Sequence, residues 1–290
     1  MRYPQLSKMV TDFIRELFPF EENNITLITY PGPPISLSLT HSLLLLADSA
    51  LPLGSFAYSS GLESYIAHHK PLAPSTTPTS SFHRFLSLSL VSVASTALPY
   101  LLKAHRCPEQ LEKLDNDYDA SMPCSVARRA SVAQGLALLG VWERAFREQY
   151  QFLSVPGQGR AGCAAALASL DAFSDWLKKA RTSEHSIQAN GHFAPLWGVV
   201  CAAMGIELGQ AAYVFTLNHA RAVLSSAVRA SVMGPYQAQG VLASKALQEL
   251  IVQLVEMEWE TEPEDAGQVV PVLDLWVGRH ELLYSRIFNS

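Results

Sequence analysis

Nine histidines, four cysteines and 26 carboxylates give this 290-residue chain the raw material for metal or acid–base chemistry. Their spacing decides what is open to it. His68 and His69 are adjacent, so on a helix they point about 100° apart and share a metal poorly. His185 and His192 flank a Gln-Ala-Asn-Gly turn, and His219 and His280 stand alone. Imidazole and carboxylate together could make a transient contact with a borderline divalent ion, but no set has ligand spacing. Cys107, Cys124, Cys163 and Cys201 contain no C-x-x-C pair, so neither a zinc site nor a disulfide framework is indicated, and a reducing compartment follows. Glu256, Glu258, Glu260, Glu262, Glu264 and Asp265 alternate at a helix end, the pattern of a solvated segment. No nucleophile elbow, Walker loop, H-E-x-x-H or kinase set appears, and no strand precedes the glycines of GQGRAG (157–162). The residues alone describe a helical, partner-prone chain without a visible active site.

One stretch stands out, LLLLADSALPLGSFAYSSGLESY at 43–65, which sets Asp48, Pro52, Gly54, Phe56, Tyr58, Gly61 and Glu63 in an apolar context. It reads as helix, break, helix. The first helix must end before Pro52, which lacks an N–H and disfavours helix in the residue before it. Gly54 relaxes the turn, Ser55 is placed to cap the second helix, and Gly61 permits close helix approach. Asp48, if buried, needs a partner. The expected ones are free N–H groups at the start of the second helix or an arginine from elsewhere.

The elements that position these residues are helical. Apolar residues recur with helical spacing at Phe193, Leu196, Trp197, Val200 and Met204, at Val214, Leu217, Leu224 and Val228, and at Leu247, Leu250, Ile251 and Leu254. Further helices are expected over 82–104, 125–152 (Val132, Leu136, Leu139 and Phe146 on one face) and 165–179. Loops are expected near 70–81, 106–125, 154–163 and 260–270, where proline, glycine or clustered polar residues interrupt the pattern. Residues 1–36 read as an N-terminal extension, with one amphipathic helix (Leu6, Met9, Val10, Phe13, Leu17) and a short strand-like NITLITY. The expected architecture is a single-domain, all-α bundle of about ten helices over 37–290. Small residues crowding 192–234, from Gly198 to Ala227, suit close helix packing or a dimer seam equally.

The bulk composition narrows the classes further. Apolar residues make up 49% and charged residues only 16%, against a typical ~25%, which favours a partner surface. A net charge of −5 with no basic stripe argues against nucleic acid. The uncharged run from Phe85 to Leu102 is broken by serines, Thr96 and Pro99, and Glu207 interrupts the next apolar run, so no membrane span is expected. With no convincing presequence, the expected location is cytoplasmic.

Three segments in order carry a family resemblance. LADSALPLGSFAYSSGLE resembles the opening signature of the urease accessory protein F (UreF) family. The block from GHFAPLWGVV to SSAVRASVMGPYQAQGVL, with His192, Arg229 and Gln239, is similar to that family's central region. The ending HELLYSRIFNS, with His280, Glu281, Leu283, Tyr284, Ser285, Arg286, Ile287, Phe288 and Ser290, is similar to its terminus. Ile287 stands where the family usually has leucine, and the extension and long loops resemble fungal and plant members. The resemblance implies a non-catalytic, dimer-forming all-α scaffold that binds no cofactor of its own. Nickel would be handled by its complex with urease accessory proteins D/H, the GTPase G and apo-urease. It also implies that the C-terminal segment, with Leu283, Tyr284, Ile287 and Phe288 on an amphipathic turn, orders on D/H. Arg286 and Arg229 are candidates for an arginine presented to the GTPase nucleotide. The alternative left open is a helical enzyme or small-molecule carrier with a pocket between helices.

Overall fold

In the computed structural model, residues 37–69, 77–151, 162–182 and 190–289 are described. The extension over 1–36, most of the glycine-rich loop and Ser290 therefore lie outside the described residues. So do the short amphipathic helix and strand expected in the extension.

The longest helix shows how the sequence is used. Helix α3 (Pro78–Arg106) follows α1 (Leu37–Ala47) and α2 (Leu62–His68). It starts in a capping box in which the Thr77 side chain accepts from the Ser80 N–H while Ser80 reaches back to Thr77, with Pro78 in the first turn. Of the loop expected at 70–81, residues 77–81 are the cap and first turn of this helix, and 70–76 lie outside the described residues. Pro99 lies inside α3 and cannot donate to the carbonyl of Ser95. That carbonyl instead accepts the N–H of Gly267, at 3.2 Å, so the loop after residue 260 repairs the gap the proline opens. Helix α3 is long and apolar enough to cross a membrane, yet 72% of its apolar window is buried by its neighbours, as in a core helix.

Around α3 pack α7 (Phe193–Ala203), α8 (Leu208–Arg229) and α10 (Lys245–Glu258), while α5 (Ser125–Tyr150) and α6 (Cys163–Thr182) also pack on α7. Helix α5 runs Ser125–Val141, widens into a π-turn at Trp142–Phe146 and finishes at Arg147–Tyr150. The short α9 (Pro235–Leu242) and α11 (Val272–Arg279) complete eleven helices, and no strand occurs among the described residues. The all-α expectation holds. The core is built where α3 meets α7: Leu98, Leu101, Leu196, Trp197 and Val200 are fully buried. Trp197 keeps its indole N–H satisfied by donating to the Ala211 carbonyl at 3.0 Å. Helix α11 docks through Trp276, whose ring meets Tyr65 edge-on at 4.7 Å and lies 6.0 Å from Phe85.

One expected loop is a helix. Residues 111–121 of the polar stretch at 106–125 form α4 (Leu111–Ser121), because Leu111, Leu114 and Tyr118 line a buried face at helical spacing. Asp115 and Asp119, the residues that made the stretch look like a turn, are buried on that same helix. They are used as hydrogen-bond acceptors, described below.

Candidate functional site

The opening motif folds as a rigid corner. Helix α1 stops at Ala47, and the Asp48 carboxylate accepts the N–H of Ala50 at 2.9 Å, forming a local turn ahead of Pro52. Asp48 is exposed, so neither expected long-range partner applies. Arg221 instead donates to the Ala47 carbonyl and to Asn218 Oδ1, and Asn218 holds the Leu46 carbonyl. These bonds satisfy the end of α1 without any carboxylate. Gly54, at φ 71°, leads into a single 3₁₀ turn, Ser55–Ala57. Ser55 does not cap α2, because its hydroxyl donates to Gln134 on α5 at 2.9 Å. Ser59 takes the capping role and accepts the Glu63 N–H at 3.3 Å. Gly61 is required: at φ 85° a Cβ there would meet Val277 Cγ2 at 3.0 Å and the Val277 N at 3.1 Å, where α11 crosses.

Glu63 ties this corner to the end of the chain. Its carboxylate accepts from His280 Nε2 at 2.9 Å, from the Ile287 N–H at 2.7 Å and from the Phe288 N–H at 3.2 Å. His280 is fully buried, and because the carboxylate facing its Nε2 can only accept, that nitrogen is the donor. Arg229, from the central block, donates to the Phe56 carbonyl and lays its guanidinium over the Phe288 ring at 4.3 Å. Burial holds its pKa below the usual arginine range. Asn289 N–H closes the strap on the Ala57 carbonyl at 2.8 Å. Beside it, Glu281 pairs with Arg129 of α5, an exposed bridge of small energetic weight. The three motifs, far apart in sequence, therefore meet in one cluster.

What that cluster presents is apolar. Residues 283–289 are not an amphipathic helical turn but a bent, extended strap. Only Phe288 turns inward, at 4% exposure, while Phe56 (67%), Leu282 (78%), Tyr284 (107%) and Ile287 (63%) face solvent. Leu283 is half-buried, and Ser285 and Arg286 are exposed. Phe56 and Ile287 flank the same Arg229–Phe288 anchor.

A second buried network sets the Gly-His-Phe turn. Asp115 on α4 accepts the N–H groups of Asn190, Gly191 and His192, the last at 2.6 Å. His192 is fully buried, with Nε2 3.1 Å from Asp119 and Nδ1 3.1 Å from Ser131. Between the two networks lies a cavity of about 310 Å³, reached by Asp48, Ser55, Phe56 and Tyr58 on one side and by α3, α8 and α11 on the other. No cluster of three or more metal-ligating side chains occurs among the described residues.

These features sit in a chain whose residues 77–246 match the family model UreF. A urease accessory protein UreF-like chain of Schizosaccharomyces pombe is 36% identical over 251 residues, covering 87% of this chain and 97% of that one. The chain belongs to the UreF family. Urease accessory protein F of Arabidopsis thaliana is 32% identical over 84% of this chain and 90% of its own length. Urease accessory protein UreF of the bacterium Paenarthrobacter aurescens is 28% identical over 88% and 100%.

Within this UreF chain, the structure gathers Phe56, Gly61, Glu63, Arg229, His280 and Phe288 at one place. It leaves Gln239 apart, exposed on α9. The glutamine with a local role there is Gln237, whose Oε1 accepts the Gly234 N–H at 3.0 Å to cap that helix. Arg229 is exposed, donates to the Phe56 carbonyl and covers the Phe288 ring, a role within the chain's own corner. Asp115, Asp119 and Ser131 were missed by sequence reasoning. A leucine-tyrosine face at i, i+3 and i+7 on α4 was the signal that could have found the two aspartates; Ser131, on α5, had none.

Proposed function

We propose that this UreF chain is a non-catalytic scaffold for urease maturation, acting in the cytoplasm as a homodimer. It assembles with accessory proteins D/H, the GTPase G and apo-urease so that nickel reaches the urease site. The observation that carries this reading is a set of exposed apolar side chains, Tyr284 and Ile287 on the strap that Glu63 holds, Leu282 just before it, and Phe56 on the turn that Arg229 ties to Phe288. Aromatic and aliphatic anchors on a pre-ordered backbone are what a stable interface needs, because little ordering entropy is lost on docking. We assign this face to D/H. Arg286 beside it is exposed and makes no ion pair among the described residues, so it is the arginine this face can offer to the GTPase nucleotide.

Co-expression with D/H and G tests the assignment. Phe56→Ser with Ile287→Asp should reduce recovery of D/H on the tagged chain by at least roughly tenfold, the loss expected when an interface hot spot is removed. The unfolding midpoint should stay near wild type, since both side chains face solvent. Arg286→Ala should leave assembly intact and slow GTP hydrolysis by the assembled complex. Undiminished recovery of D/H by the double variant would overturn the interface. Unchanged hydrolysis with Arg286→Ala would remove the arginine role alone.

A further inference from the structure

The central cavity has a chemistry that the scaffold role does not use. We propose that it binds a small organic cation, a monoamine with an apolar body, whose ammonium pairs with the Asp274 carboxylate.

Asp274 lies on α11 at the cavity wall, half-buried. One carboxylate oxygen accepts from Gln268 Nε2 at 3.2 Å, and Gln268 is itself held by the Ser92 hydroxyl at 2.9 Å and the Val270 N–H at 2.9 Å. The other oxygen has no partner among the described residues. Burial pushes the Asp274 pKa up, with no basic side chain offsetting it, so a carboxylate here is left in want of positive charge. The remaining charges around the cavity do not supply it. Arg221 is occupied by the Ala47 carbonyl and Asn218, and Asp48 at the rim holds Ala50. His219 also lines the wall with Nε2 on Ser89 at 2.8 Å, and burial lowers its pKa to about 4, so it stays neutral. Among the lining residues, two acidic groups (Asp48, Asp274) face one basic group (Arg221), which leaves one net negative charge.

The rest of the lining suits an organic body. Val93, Ala97, Phe215, Leu273 and Val277 supply apolar walls, and about 310 Å³ falls at the lower end of the range of small-molecule sites. A divalent metal ion fits less well. It needs several oxygen or nitrogen donors at one point, whereas the wall offers one open carboxylate oxygen, and no three-ligand cluster occurs among the described residues. A single ammonium needs one carboxylate beside an apolar wall, and the lining holds both.

Three probes of one shape and different charge test this on the full chain at neutral pH: benzylamine, benzyl alcohol and benzoate, with binding followed by ligand-observed NMR. Benzylamine should bind roughly tenfold or more tightly than benzyl alcohol, and benzoate should not bind; a tenfold difference corresponds to about 1.4 kcal/mol. Asp274→Asn should erase the preference for the amine. Ala222→Leu, which fills the cavity from α8 and leaves Asp274 in place, should abolish binding of both neutral and charged probes. The proposal is overturned by equal binding of all three probes, by unchanged amine binding in either variant, or by release of benzylamine on adding equimolar nickel. None of these outcomes depends on D/H or the GTPase, so they leave the scaffold reading to be judged separately.

Discussion

Asp115→Ala is expected to destabilise the folded chain by roughly 3 kcal/mol or more, because three N–H donors lose their shared acceptor at about 1–3 kcal/mol for each one left buried and unsatisfied. Asp115 is completely buried and is the shared acceptor for three consecutive N–H groups, those of Asn190, Gly191 and His192. Those groups precede the first turn of α7, where the helix dipole adds a partial positive charge that a carboxylate neutralises. Alanine would leave the donors buried without an acceptor, each carrying a desolvation penalty. The turn cannot swing out to water, because it lies against Gly135, where any Cβ would overlap the Gly191 carbonyl and the His192 backbone. Asp115→Asn retains the shape and one acceptor oxygen and should fall between wild type and alanine. Urea unfolding followed by tryptophan fluorescence measures the effect. A midpoint for Asp115→Ala within error of wild type would show that the turn is held by something else.

Gly198→Ala should be nearly as damaging, for a different reason. Gly198 sits in α7 where it presses on α3, and a Cβ there would overlap the Leu101 carbonyl and crowd His105 N at 3.1 Å and the Ala104 methyl at 3.2 Å. The obstacle is helix backbone rather than a side-chain tip, so only separation of the two helices makes room. Separation would loosen the contacts of Leu98, Leu101 and Trp197 in the middle of the core. Overpacking of this kind costs about 1–3 kcal/mol or more. Alanine's better helix propensity returns up to about 1 kcal/mol. Overlap with a backbone carbonyl puts the cost at the upper end, about 3 kcal/mol, so a net loss of roughly 2 kcal/mol follows, read as a lower unfolding midpoint with an unchanged urea slope. A midpoint at or above wild type would mean that α3 and α7 are free to part.

Long apolar helices were legible from the sequence because their burial pattern is written locally: Phe193 to Met204 and Val214 to Val228 repeat at helical spacing and are indeed α7 and α8. Helix α4 was not, since two of its inward residues are aspartates. A carboxylate reads as solvent-facing unless the donors that satisfy it are known, and those of Asp115 lie about 75 residues away. For Asp48 the sequence left burial open. The chain has already left the helix there, and the side chain closes a turn at the surface. Glu63 was recognised only as part of a motif. Its three partners come from 217–225 residues downstream, so nothing in the opening stretch could announce that it anchors the chain's end. That end is tied to the chain's own Glu63 and Ala57. Only the side chains on its outer edge are left for docking.

The central claim is that this outer edge, and no chemistry within the chain, serves urease maturation. It is tested most directly by urease activity and nickel content in a host whose own copy of this chain has been deleted. Wild type should restore both. Phe56→Ser with Ile287→Asp, folded and present at wild-type levels, should restore neither, and nickel added in excess should recover part of the activity. Full restoration of urease activity and nickel content by the double variant would contradict the account.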